Sequence, residues 1–153
     1  MIRPALAADI AGIKHIIDQN ELFPSTMLDD MIAPYLSDPK TADMWFTDID
    51  GPPQAIAYCA PERMTQGTWN LYLIAVHPDA HGRGIGSAML HHIEALLAAR
   101  GERVLLVETS GFDSFARTRQ FYLKANYEQE ARIRDFYQAG EDKIIFRKGL
   151  TAH

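Results

Sequence analysis

The sequence contains very little cysteine, and Cys59 is the single cysteine in 153 residues. One cysteine cannot form a disulfide within the chain or a cysteine metal cluster, and this suits a reducing compartment, so we expect a cytoplasmic protein. The six histidines also lack ligand spacing, because the adjacent residues His91 and His92 would point about 100° apart on a helix. The sequence therefore predicts no metal site.

Long apolar runs and an excess of positive charge are both absent. No stretch approaches the roughly 18 uninterrupted apolar residues of a membrane-spanning helix, and Asp9 interrupts the first apolar run after Arg3. Lysine and arginine number 15 against 20 aspartates and glutamates, so the formal net charge is -5. An acidic chain of this kind does not gather nucleic acid by bulk electrostatics. We therefore expect neither a membrane nor a nucleic acid as a partner.

The length and composition are typical of one folded domain. A chain of 153 residues can bury one hydrophobic core, and a content of 47% hydrophobic and 23% charged residues is ordinary for a globular protein. No repeat, linker or low-complexity segment divides the chain. We expect a single domain over residues 1–153, and the sequence leaves open whether two copies pair as a homodimer.

Hydrophobic periodicity and turn residues predict a mixture of strands and helices. The predicted strands are residues 2–4, 44–48, 54–60, 69–76, 104–109, 127–137 and 143–147, the predicted helices are 9–20, 25–36, 85–100 and 114–125, and the predicted turns are 50–53, 66–67 and 138–141. Ser25 is expected to cap the second helix, and Gly101 is expected to end the third. Early hairpins and a later strand–helix–strand crossover predict an α/β fold with a mixed β-sheet and helices on both faces.

The most informative segment is a glycine-spaced loop that follows the strand at residues 69–76. Its residues are His81, Gly82, Arg83, Gly84, Ile85, Gly86 and Ser87, and it opens directly onto the third predicted helix. Glycine lets a ligand approach the backbone closely, and the free amides and dipole at a helix start favour negative charge. The segment therefore predicts a phosphate-binding site. A Walker A loop is excluded because no lysine follows Gly86, and a dinucleotide fingerprint is excluded because its glycine spacing is not met.

This loop is similar to the acyl-CoA pyrophosphate loop of the GNAT family of N-acetyltransferases. The family pattern is glutamine or arginine, two residues, glycine, one residue, and glycine or alanine, and His81 stands at its first position. The order of the predicted elements also resembles the acyl-CoA N-acyltransferase fold over nearly the whole chain. The resemblance implies acetyl-CoA as cosubstrate, with residues 81–87 at the pyrophosphate. It also implies main-chain contacts from Ile74, Ala75 and Val76 to the pantetheine arm. Arg83 either adds a charge to a phosphate or is an ordinary exposed arginine.

Tyr122 is the candidate general acid that the resemblance implies. It stands in a segment similar to the family pattern of tyrosine, three residues, glycine and an aromatic, with Asn126 in place of the glycine. In the family this tyrosine approaches the cofactor sulfur and is proposed to protonate the departing thiolate, and a phenol with a pKa near 10 can donate at neutral pH. The alternative is a packed aromatic side chain. The asparagine often found seven residues earlier is replaced by Phe115.

Glu108 is the candidate general base, because it lies near the end of an otherwise apolar strand. A carboxylate there could accept a proton from an attacking ammonium, directly or through water. The alternative is a surface glutamate. Some members of the family place a glutamate on the central strand, and that position here is Asn70, which could hold a water molecule. Tyr72 and Glu62 are weaker candidates on the acceptor side.

The segment from Arg134 to Asp142 indicates the acceptor. It is similar to the Tyr-Tyr-x-x-Gly-Glu-Asp hairpin of N-terminal protein acetyltransferases, including the ribosomal-protein type, with Phe136 at the first tyrosine and Tyr137 at the second. The resemblance implies that Tyr137 lines the acceptor slot. We therefore expect direct acetyl transfer in a ternary complex to a primary amine, and the hairpin indicates a protein or peptide N-terminus as the acceptor. The alternatives are a small-molecule amine (an amino acid, polyamine or drug) and a catalytically silent acyl-CoA-binding module.

Overall fold

The computed structural model describes residues 1–48 and 51–150, and these residues form seven strands and four α-helices. The strands are β1 (Ile2–Pro4), β2 (Met44–Asp48), β3 (Ala55–Pro61), β4 (Thr68–Val76), β5 (Val104–Ser110), β6 (Glu128–Gln138) and β7 (Glu141–Gly149). The helices are α1 (Ile10–Gln19), α2 (Leu28–Ser37), α3 (Ile85–Ala99) and α4 (Ala116–Lys124). The strands form one sheet in the order β1-β2-β3-β4-β5-β7-β6. The prediction of a mixed sheet flanked by helices is confirmed.

The described residues fall into two compact units. The first comprises Met1–Pro61 and Tyr72–Ile93, and the second comprises Glu62–Leu71 and the chain from Glu94 onward. Strand β4 and helix α3 therefore contribute residues to both. The prediction of a single domain over residues 1–153 stays a prediction.

In the first unit, an antiparallel set of strands packs against two helices. Strand β2 pairs antiparallel with both β1 and β3. The core of this unit consists of fully or almost fully buried apolar side chains from its strands and helices, namely Ala5, Ile13, Ile16, Ile17, Leu28, Ile32, Trp45, Ile56 and Ala75. The isoleucines of α1 recur at helical spacing, so they share one face and bury it against the sheet residues.

In the second unit, β5 is parallel to the first half of β4 and antiparallel to β7. Residues Thr68 to Leu71 pair with Val104 to Val107, so Asn70 lies opposite Leu106, two residues before Glu108. Strand β6 lies at the sheet edge, pairs antiparallel with β7, and exposes all eleven of its residues. Strand β5 therefore has a parallel neighbour on one side and an antiparallel neighbour on the other.

Several predicted boundaries need correction. Ser25 does not cap a helix, because it lies inside a single 3-10 turn, Ser25–Met27, whose last amide bonds to the carbonyl of Pro24. Helix α4 is likewise preceded by a 3-10 turn, Asp113–Phe115. The last hairpin turns at Gln138 to Glu141 as predicted, but both strands extend up to the turn, since Gln138 and Glu141 pair and only two residues lie between them.

Two predictions about left-handed backbone are confirmed. Gly101 has φ +81° just after α3, and Asn126 has φ 70° just after α4. Both residues follow the end of a helix, where the backbone is left-handed and glycine or asparagine is tolerated better than other residues. Asp50, which belongs to the predicted turn at residues 50–53, lies outside the described residues.

Candidate active site

The glycine loop in the first unit has the geometry of an anion cradle. Gly82 and Gly84 have φ values of +80° and +76°, and no heavy atom lies within 4 Å of the place where a Cβ would stand on either residue. The amide of Ala88 bonds to the carbonyl of Gly84 at 3.0 Å, so α3 begins directly from the loop. The amides of residues 85–87 precede that first bond and have no carbonyl of the same helix to bind. A phosphate group fits such a cradle.

His81 ties the start of the loop to the end of β4. Its Nε2 lies 2.7 Å from the carbonyl oxygen of Val76, and since a carbonyl only accepts, the ring donates. Just before it, Nδ1 of His77 accepts the amide of Asp79 at 3.1 Å and caps the 3-10 turn Pro78–Ala80. A histidine at the first position of the loop pattern thus has a clear local role, which is to fix the path of the chain into the glycines.

The three β4 residues predicted to contact pantetheine differ in their surroundings. Ala75 is buried in the core of the first unit, and Ile74 and Val76 are partly buried. The Val76 carbonyl accepts a second hydrogen bond, from Asn20 Nδ2 at 3.0 Å, in addition to the bond from His81. A cofactor contact with that oxygen would therefore have to share it with two donors of the chain.

Arg83 lines a cavity of about 390 Å³ in the first unit. The other lining residues come from the glycine loop, the start of α3, the first two strands and the residues just before β1 and β3, namely Met1, Ile2, Asp48, Gln54, Gly84, Ile85 and Ala88. The carboxylate of Asp48 accepts the amides of Gln54 and Ala55 at 2.8 and 2.9 Å, which fixes this wall. Arg83 thus lines the same cavity as Gly84 and the start of α3, where its positive charge would add to the attraction of the helix start for an anion.

Glu108 in the second unit belongs to a polar cluster, which we call the carboxamide cluster: Glu62, Asn70, Glu108 and Lys143. Nδ2 of Asn70 donates to Glu62 Oε1 at 2.8 Å and to Glu108 Oε2 at 3.0 Å. Nζ of Lys143 lies 2.9 Å from Glu108 Oε1. Asn70 is only 1% exposed, and its Oδ1 has no hydrogen-bond partner.

The C-terminal hairpin reaches the same cluster. Nζ of Lys143 lies 3.6 Å above the centre of the Phe136 ring, a cation–π contact. Burial raises the pKa of Tyr137, and the negative charges of Glu108 and Glu141 raise it further, so its hydroxyl lies within their field. The structure therefore brings Glu108 and Asn70 together, and the hairpin that carries Tyr137 reaches the same cluster through the contact of Phe136 with Lys143.

Asp142 fixes the shape of this hairpin. Its Oδ1 accepts the amide of Asp135, which has φ 55°, at 3.0 Å, and its Oδ2 pairs with Arg132 at 2.6 Å. These two contacts, the Asp135 amide first, lower the pKa of Asp142. The register of β6 against β7 shifts between Ile133 and Gln138, so Phe136 and Tyr137 lie in an irregular stretch of the strand. Such bulges re-aim side chains.

Tyr122 lies on α4 in the second unit and is 2% exposed. Its ring packs against Phe146 and Tyr127, with ring centroids 5.7 Å away in each case. Burial raises its pKa far above the ordinary value, so the phenol stays protonated, which is the form that a general acid requires. Tyr72, by contrast, is in the first unit, where it is half exposed and its ring is 5.5 Å from that of Tyr58.

Sequence analysis missed Lys143. A lysine at the start of a strand is normally read as a solvated residue, yet Lys143 is 9% exposed and faces both Glu108 and Phe136. The available signal was the strand register. Glu108 lies on a central strand, and a carboxylate that is partly buried there needs a positively charged partner on a neighbouring strand. Glu62, only a weak candidate in the sequence, shares the same amide donor as Glu108.

Two further searches of the described residues gave no site. Within residues 1–48 and 51–150, no group of three or more histidine, cysteine, aspartate or glutamate side chains is placed to hold a metal ion. In the same part of the chain, each helix is too short or too polar to cross a lipid bilayer.

Comparison with known families decides the class of the protein. The family model described as "Acetyltransferase (GNAT) domain" matches residues 41–129, which include the glycine loop, Glu108 and Tyr122. The chain belongs to the GNAT acetyltransferases. No curated protein sequence matches it.

Solved GNAT structures share the fold along the whole chain. A GNAT-family protein from Desulfovibrio desulfuricans is 29% identical, with 99% of each chain covered and a TM-score of 0.90. The ribosomal-protein-S18-alanine N-acetyltransferase from Escherichia coli is 22% identical, over 100% of this chain and 95% of that one, with a TM-score of 0.82. A phosphinothricin acetyltransferase from Sinorhizobium meliloti, in complex with AcCoA, is 17% identical over 99% and 88%, with a TM-score of 0.78.

Proposed function

We propose that this GNAT protein is an acetyl-CoA-dependent N-acetyltransferase that moves the acetyl group directly to a primary amine in a ternary complex. The observation that carries the proposal is the glycine loop, whose two left-handed glycines leave open space at the start of the 15-residue helix α3. The phosphate-bearing cosubstrate of the family is acetyl-CoA, which is bound in the similar structure from Sinorhizobium meliloti. The amides of residues 82–87 would hold its pyrophosphate.

Each remaining group has a role in the proposed transfer. The acceptor ammonium gives one proton to Glu108 and becomes a neutral amine that can attack the thioester carbonyl. A C–N bond forms and the C–S bond breaks, and the second amine proton passes from the tetrahedral intermediate to solvent. Tyr122 protonates the departing CoA thiolate and regains a proton from solvent, and burial keeps its phenol in the protonated form that this step requires. Glu108 returns its proton to solvent.

The acceptor that we propose is a peptide or protein N-terminus. The irregular stretch of β6 places Phe136 against Lys143 and puts the Tyr137 hydroxyl in the field of Glu108, so the hairpin adjoins the proposed base. The similar Escherichia coli structure is named for acetylation of an alanine of ribosomal protein S18. A small-molecule amine is the alternative acceptor, since another similar structure is named for phosphinothricin. The cytoplasm is the compartment we propose, because the single cysteine suits a reducing environment.

The deciding experiment measures release of CoA thiol from acetyl-CoA with a panel of amines that mixes short peptides, amino acids and polyamines. Acceptor-dependent thiol release with the wild-type protein supports an acetyltransferase. Tight acetyl-CoA binding with no release for any amine would instead support a silent acyl-CoA-binding module. A peptide that turns over with a higher kcat/KM than any free amine supports the N-terminal acceptor.

A further inference from the structure

Helix α4 in the second unit carries Tyr122 and buries little of its own surface. The helix is nine residues long, and of residues 116–124 Tyr122 is buried while the others are exposed or partly exposed. A helix shorter than about 12–15 residues is marginal in water without tertiary contacts. Phe115 stands at its N-cap, where an apolar side chain offers no oxygen to the free amides of the first turn. The place of the Tyr122 hydroxyl therefore depends on how α4 is anchored.

Arg119 anchors the start of α4 to the connection that comes from β5. Its Nη1 donates to the carbonyl oxygen of Ser110 at 2.7 Å and to that of Phe112 at 2.9 Å. This nitrogen carries two N–H groups, so it can serve both carbonyls at once. Hydrogen bonds from a charged donor are stronger than those between neutral groups. The two bonds therefore hold the start of the helix at a fixed distance from the end of the strand.

The strand end that Arg119 contacts is itself fixed. Ser110 is the last residue of β5 and is only 6% exposed. Its hydroxyl donates to Oε2 of Glu141 at 2.7 Å and accepts the amide of Phe112 at 3.1 Å. Ser110 also lies two residues after Glu108 on the same strand. Arg119 thus connects the helix of the proposed acid to the strand of the proposed base.

We infer that Arg119 is a positioning residue for Tyr122. The inference rests on the proposed function in one respect, namely that Tyr122 protonates the departing thiolate. The packing of its ring against Phe146 and Tyr127 is apolar and non-directional, whereas the bonds of Arg119 fix a distance. Proton transfer requires heavy atoms about 2.6–3.2 Å apart, so a displacement of the phenol by about 1 Å is enough to slow it.

The test is a double-mutant cycle on the full-length protein, measured as release of CoA thiol with the best amine of the acceptor panel. Arg119→Met removes the donors and keeps an unbranched side chain. We expect it to lower kcat by about tenfold with the KM for the amine unchanged. In a Tyr122→Phe background, the same substitution should lower kcat by less than about twofold, because the hydroxyl that Arg119 positions is already absent.

Two further variants serve as the conservative replacement and the control. Arg119→Lys keeps a charged donor and should recover part of the lost rate. Arg117→Met removes the same charge from an exposed position of the same helix and should leave kcat unchanged. Hydrogen exchange provides a readout that needs no activity: Arg119→Met should speed exchange of the α4 amides by about tenfold, and Arg117→Met should not.

The outcomes separate this inference from the proposed function. A folded Arg119→Met variant with the wild-type kcat, or an equal loss in both backgrounds, would overturn the positioning role although the wild type releases CoA thiol. A wild type that releases no thiol would overturn the proposed function. Hydrogen exchange then decides whether Arg119 anchors α4, and unchanged exchange in Arg119→Met would overturn the anchor. Thermal unfolding of each variant checks that the fold is retained.

Discussion

Nζ of Lys143 lies 2.9 Å from Oε1 of Glu108, so the proposed base already holds a cation of its own chain. The same ammonium lies 3.6 Å above the Phe136 ring, which explains how a phenylalanine can occupy the first aromatic position of the hairpin. The pair makes the effect of any Glu108 substitution ambiguous, because removing the carboxylate also leaves a buried ammonium without its partner.

A double substitution resolves that ambiguity. If Glu108 is the base, Glu108→Gln should lower the rate with a saturating amine by about 100-fold near neutral pH, and less at high pH where the amine is already neutral. The double variant Glu108→Gln with Lys143→Met removes the unpaired ammonium and should be just as slow. Steady-state rates between pH 6 and 10 provide the measurement. A double variant that regains wild-type rates would assign the loss to Lys143 and leave deprotonation to solvent.

The glycine loop predicts a sharp loss of cofactor binding when a carboxylate is added. Gly84→Asp places bulk and negative charge where the pyrophosphate would lie, so acetyl-CoA affinity should fall by at least 100-fold in calorimetry. Gly101→Asp is a matched control, because Gly101 also has a positive φ and open space at its Cβ position. Both variants carry the same backbone strain and charge. If the Gly84→Asp and Gly101→Asp variants bound acetyl-CoA with equal affinity, the glycine loop would not be part of the cofactor site.

Tyr122→Phe tests the proposed acid by removing only the hydroxyl. We expect kcat to fall by about 100-fold with little change in acetyl-CoA affinity. Tyr127→Phe is the control, since Tyr127 is a buried neighbour whose hydroxyl donates to Glu94 at 2.6 Å. That variant should keep its rate and lose about 1–2 kcal/mol in the free energy of unfolding. Full activity of Tyr122→Phe would reduce Tyr122 to a packing residue.

The role of the hairpin in acceptor binding is tested by measuring the KM for the amine and the KM for acetyl-CoA separately. If Tyr137 lines the acceptor slot, Tyr137→Ala should raise the apparent KM for the amine by about tenfold and leave that for acetyl-CoA unchanged. Ile133→Ala, another half-exposed position of β6, should change neither. Damage to both substrates by Tyr137→Ala would indicate that the hairpin is only structural.

The ion pair of Arg3 and Asp9 predicts how stability depends on pH. The guanidinium binds both Asp9 oxygens, at 2.7 and 2.8 Å, and the Leu6 amide adds a further bond at 2.7 Å. The bonds from Arg3 and then Leu6 lower the pKa of Asp9. The folded-state pKa is thus below the unfolded value near 3.9, so the contribution is full above about pH 5 and is lost as pH falls through the folded pKa. Asp9→Asn should lower Tm by roughly 3 °C at pH 7 and by less at pH 3.

Much of the fold was predictable because its signals are local. Gly101 and Asn126 mark helix ends by their tolerance of left-handed backbone, and β2 was located with its observed limits from its apolar run and the turn beyond it. The 3-10 turn at Ser25–Met27 was not predictable, since a serine after a proline looks the same whether it caps a helix or starts a tighter turn. Boundaries of this kind depend on hydrogen bonds that composition does not determine.

The candidate site was predictable only where a motif carried it. The glycine loop and Tyr122 stand in patterns of fixed spacing, so their positions could be read from the chain. The contacts of Asn70 with Glu62 and Glu108 span 8 and 38 residues, and those of Lys143 depend on the register of three strands. When two side chains meet only because their strands pair in a particular register, no periodic pattern in the sequence indicates the contact.

The fully exposed edge strand β6 has a practical consequence for handling the protein. An uncovered strand edge can template pairing between molecules, and this one carries charges of both signs along its length, at Glu128, Glu130, Arg132, Arg134 and Asp135. These charges nearly cancel, so they protect the edge because pairing would remove water from them and not because two copies repel each other. Opposite charges on two copies attract most at low ionic strength, so salt near 0.1 M, where the screening length is about 10 Å, is the better choice for concentrated stocks.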